Sequence, residues 1–242
     1  MGLKELQEKI FEIVRYQLED DCELVINDKN IGSKTRLNTY INSSYLKAKE
    51  CIEDDYEASL SFIDNKDQLI KDYLAQYPPD THFINECGQL FLKYLNEIDY
   101  QSKYDFLFDL IKLEWLRVES FYDFYNYKTP EDQNSEILVN PSLKIIESNW
   151  PLDLIWSKKI PHRIKPSHIF IWSTEDRIVD CQSWESKTTE VLLEIIKNKS
   201  LEISVEILLK KYEPEILTSI LETYLSQWIN KGILNLVTKE KM

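Results

Sequence analysis

Along the first half of the chain, apolar residues recur at intervals of three and four, the spacing of helices that bury one face. Leu6, Ile10, Ile13 and Val14 fall together within 3–18. Ser33 is placed to cap a second helix carrying Leu37, Tyr40, Ile41, Tyr45 and Leu46. The run "DQLIKDYLAQY" continues the pattern and stops at Pro78-Pro79, because proline lacks an N–H and disfavours helical geometry in the residue before it. "HFINECGQLFLKYLNEI" and the segment 106–125 predict two more helices. Placed at about 100° per residue, Leu107, Leu110, Ile111, Val118 and Phe121 share one face of the last helix, with Asp109 and Lys112 opposite. Glu114 lies in the middle of that apolar face.

The pattern then changes. After the polar stretch "TPEDQNSE", Asn140-Pro141 predicts the capped start of a short helix, "PSLKIIESN", followed by the aromatic run "WPLDLIW". "SKKIPHRIKPS", residues 157–167, holds two prolines and four basic residues and predicts a linker between domains over 1–156 and 168–242. "HIFIWST" and "RIVDCQSW" are strand-like and predict a hairpin that turns at Glu175-Asp176. Three helices follow, "TTEVLLEIIKN", "LEISVEILLKK" and "EPEILTSILETYLSQWINKG", the last with Pro214 near its start and Gly232 as its stop. "ILNLVT" closes as a third strand. The expected fold class is mainly α with a small α/β part: an N-terminal helical bundle and a C-terminal winged-helix-like domain with a short β-sheet. Four glycines in 242 residues agree, since folds rich in tight turns use more.

Charge divides unevenly. Residues 1–156 hold 16 basic and 30 acidic side chains, and the remainder 13 and 12, so the acidity belongs to the N-terminal part. No apolar run approaches the length of a membrane span, and "MGLKELQEKI" lacks the apolar core of a signal peptide, so a cytoplasmic protein with no membrane association is expected. Cys22, Cys51, Cys87 and Cys181 are widely spaced and read as reduced thiols. His82, His162 and His168 are scattered, and no nucleotide-binding, hydrolase or zinc-protease motif is present. The acidic clusters at 19–21 and 53–55 lack the loop pattern of a calcium site.

A winged helix raises the question of DNA. The exposed face predicted for the last helix carries Glu215, Thr218, Glu222, Thr223 and Gln227, with no cation before Lys231. Binding phosphates requires cations that displace condensed counterions, so nucleic acid is not the expected partner. Glu114, alone on an apolar face, needs a cation or donors. Arg36, about 40° from Tyr40 on the same side of its helix, is the expected partner in a buried polar pair that fixes helix register.

Several segments carry a resemblance as an ordered set: "RLNTY" at 36–40, Tyr45, "YPPDTHFINECGQLFLKYL" at 77–95, "DLIKLEW" at 109–115 and "NPSLKIIESNWPLDLIW" at 140–156. With the following strands, helices and "LSQWINKGIL", they resemble the HvfC/BufC family over nearly the whole chain. That family is similar to the methanobactin biosynthesis protein MbnC, and its N-terminal domain is often labelled as DNA-binding. Its helix reads leucine-glutamate-tryptophan-alanine where this chain has Leu116 after Trp115; its glycine is kept as Gly88.

The resemblance implies a non-catalytic partner subunit, paired with a TIM-barrel multinuclear non-haem iron oxidase that modifies cysteines of a ribosomally made precursor peptide. The iron would belong to the oxidase, leaving no catalytic residue, metal ligand or cofactor in this chain. Binding the oxidase and holding the precursor's leader peptide would be its tasks. A DNA-binding transcription regulator is the alternative, and a scaffold without an enzyme partner a third. Candidate contacts are a strand edge at Ile169, Ile171 and Trp172, which could take a peptide as an added strand, and the basic Lys158, Lys159 and Arg163, which could meet an acidic surface. Trp150, Trp156 and Trp172 are aromatic anchors of the kind enriched at interfaces.

Overall fold

The computed structural model describes residues 33–79, 86–126, 136–157 and 166–236, together with residues 5, 8, 9, 12 and 13, which are helical. The chain is mainly α with a small α/β part, and divides into two compact units, Met1–Ile111 and Lys112–Met242.

In the first unit, α1 (Ser33–Asp55) is followed by a single turn, α2 (Glu57–Leu60), then α3 (Lys66–Gln76) and α4 (Phe91–Glu97). Helix α3 ends where Pro78-Pro79 predicts. Ion pairs tie α1 to α3, Lys49 to Asp67 at 2.6 Å and Glu53 to Lys66 at 3.3 Å. The core is aromatic: the Phe91 ring lies 5.1 Å from Tyr56 and 5.2 Å from Tyr73, measured between centroids. Both phenols are buried and spend their hydroxyls on backbone, Tyr56 donating to the Gly88 carbonyl at 2.7 Å and Tyr73 to that of Cys87. Those bonds hold the turn that leads into α4.

Helix α5 (Leu107–Asn126) begins in the first unit and continues into the second. Leu107, Leu110 and Ile111 are fully buried, as a helix with one apolar face requires, and Leu113, off that face, is buried as well. Beyond it come β1 (Ile137–Val139), β2 (Lys144–Ser148), α6 (Leu152–Trp156), β3 (Ser167–Ser173), β4 (Val179–Ser183), α7 (Ser186–Asn198), α8 (Leu201–Leu208), α9 (Pro214–Asn230) and β5 (Leu234–Leu236).

Strands β2, β3 and β4 form an antiparallel sheet with β3 in the centre. Successive side chains on a strand face opposite ways. On one face of β3, Phe170 and Trp172 join Val191, Leu192 and Ile195 of α7, Leu217 and Trp228 of α9, and Leu234 of β5. On the other face the contacts run to α5 and α6: Ser173 Oγ donates to the Ser120 carbonyl at 3.1 Å, Lys144 pairs with Asp123 at 2.5 Å, and Ser183 donates to Asp153 at 3.0 Å. Helices therefore cover both faces of this sheet.

Three expectations are corrected here. Residues 144–148 form a strand and not a helix, because Ile145 and Ile146 align with Phe170 and Ile169 in the β3 ladder, and that tertiary pairing overrides the Asn-Pro cap signal. The closing strand, β5, pairs with β1 as a separate two-stranded ribbon, Val139 opposite Leu234, and does not extend the hairpin. The domain boundary placed at 157–167 is not where the chain divides: the compact units meet at Ile111 and Lys112, and β2 and β3, on either side of that stretch, share a sheet. The hairpin at Glu175-Asp176 and the three following helices are found as expected.

Candidate interaction surfaces

The edge expected at β3 does not exist. Hydrogen-bonded to β2 on one side and β4 on the other, β3 has no free ladder, and Ile169, Ile171 and Trp172 are each 0% exposed. Trp172 is further fixed by its indole N–H, which donates to the Lys231 carbonyl at 2.8 Å. Among the described residues, the sheet's edges are β2 and β4. Edge β4 meets α6 through the Ser183–Asp153 bond. Along β2, residues 144–147 make no backbone hydrogen bond among the described residues beyond the β3 ladder, and Ile145 and Glu147 are exposed.

Lys158, Lys159 and Arg163 lie outside the described residues. Trp150 and Trp156 are half-buried, and the Arg117 guanidinium sits 4.0 Å above the Trp156 ring, a cation–π arrangement that occupies one aromatic face. Glu114 is buried, 1% exposed, as its place on the apolar face predicts. Arg36 is half-buried in α1.

A buried polar cluster has no counterpart in the sequence reading. The Asn140 amide donates to the carbonyls of Ser173 at 3.0 Å and Gly232 at 2.8 Å. Its Oδ1 accepts from the Ser142 hydroxyl at 2.7 Å and the Ser142 backbone N–H at 2.9 Å, and Ser142 Oγ in turn accepts from the Ser173 N–H at 2.8 Å. Asn140 thus fastens the end of β1, the centre of the sheet and the turn before β5. Asn-Pro was the only local signal, and it is shared by helix caps and turns.

The outward face of α9 is as expected, with Glu215, Thr218, Glu222, Thr223 and Gln227 all exposed. Burial pushes the Cys51 and Cys181 thiols up to about 12 and that of Cys87 to about 11, so all three stay protonated near neutral pH. Near Cys181, Arg117 opposes the shift and Asp153 adds to it. Glu190 on α7 is held below the usual carboxylate range by hydrogen bonds from Lys211 and Tyr212. Among the described residues, no three His, Cys, Asp or Glu side chains are grouped so as to hold a metal ion. No helix among them is long and apolar enough to cross a membrane.

No protein-family model matches the chain, and no curated protein matches it. Its surfaces therefore have to be read on their own chemistry. The β2 edge offers backbone groups to an extended peptide, and the α9 face offers carboxylates and hydroxyls to a partner that is not a polyanion.

Proposed function

We propose that this chain is the non-catalytic partner subunit of a TIM-barrel multinuclear non-haem iron oxidase that modifies cysteines of a ribosomally made precursor peptide, forming a heterodimer with it in the cytoplasm. The observation that carries this reading is the ordered resemblance to the HvfC/BufC family through 36–40, 77–95, 109–115 and 140–156. The iron belongs to the oxidase, and this chain binds the oxidase and docks the leader peptide.

Peptide docking is assigned to the β2 edge, since β3 is enclosed. A leader peptide lying beside 144–147 would gain main-chain hydrogen bonds, and its alternate side chains would lie next to the exposed Ile145 and Glu147. Docking there leaves the packed face at Ile169 and Ile171 undisturbed. A DNA-binding role is disfavoured by the cation-poor outward face of α9.

Co-expression of the tagged chain with a TIM-barrel iron oxidase of the proposed class tests the partnership. The two are expected to co-purify through size exclusion at one-to-one stoichiometry. Separate elution, together with a salt-sensitive gel shift on duplex DNA, would favour the regulator instead.

A further inference from the structure

No further inference is drawn: the strongest candidate, the surface stripe of Ile203 and Ile207 on α8, 49% and 38% exposed beside Glu202, Glu206 and Lys210, is an unpartnered apolar face, and nothing in the structure shows what covers it.

Discussion

Asn140 stands where three stretches of chain converge, and its side chain uses both amide hydrogens and its oxygen there. Removing it in Asn140→Ala leaves the Ser173 and Gly232 carbonyls short of a donor. A buried group left unsatisfied costs about 1–3 kcal/mol, so the urea midpoint should fall clearly; an unchanged midpoint would contradict the cluster's structural role. Glu114, buried on the apolar face of α5, makes a larger demand. Disturbing a buried charged group and its partners costs about 3–5 kcal/mol, expected for Glu114→Gln by chemical denaturation, whereas a loss in the range of an exposed ion pair would contradict a structural role for this carboxylate. Buried thiols weaken the fold at alkaline pH, alongside the Tyr73 phenol, which burial also pushes up. Because Cys181 titrates near 12 when folded and near 9 when exposed, the folded chain binds more protons between those values. The contribution of Cys181 to stability is therefore complete below about pH 9 and is lost as pH rises toward 12. Cys181→Ala should flatten that slope in denaturation curves taken across this range, and an unaltered slope would contradict the assignment.

Among the elements, β3 decides the most. Ile169, Phe170, Ile171 and Trp172 form an unbroken apolar run, all 0% exposed. Such a run marks a strand buried on both faces, while a half-exposed edge strand alternates. The information that β3 is central was thus present in "HIFIW", but its neighbour β2 was hidden behind the Asn-Pro signal and read as a helix, leaving β3 with one partner too few. Helical periodicity in α1, α3 and α5, the proline stop at 78–79 and the hairpin at 175–176 were legible because each rests on local chemistry. The β1–β5 ribbon and the Asn140 cluster join residues about ninety positions apart, which no local pattern records. Two outcomes follow for the sheet. Ile171→Ala should cost roughly 2–5 kcal/mol as a cavity in a packed core, read by chemical denaturation. Hydrogen exchange should slow at the β2 amides when leader peptide is added, with β3 unaffected because its ladder is already paired on both sides; equal exchange with and without peptide would remove β2 as the docking edge.

Across the whole molecule, the first compact unit carries 12 basic and 22 acidic side chains and the second 17 and 20. Neither balance suits a polyanion, and long-range steering would favour a partner with basic patches. If the proposed oxidase partner carries such patches, its association is faster at low ionic strength and slows as salt screens the field. As the proposed partner subunit, the chain would have no chemistry of its own and would be needed by an enzyme that does. The most direct measurement is cysteine modification of the precursor peptide, followed by mass spectrometry, with the oxidase alone, this chain alone, and both together. Modified peptide is expected only when both proteins are present. Equal modification by the oxidase without this chain, or modification by this chain alone, would contradict that role.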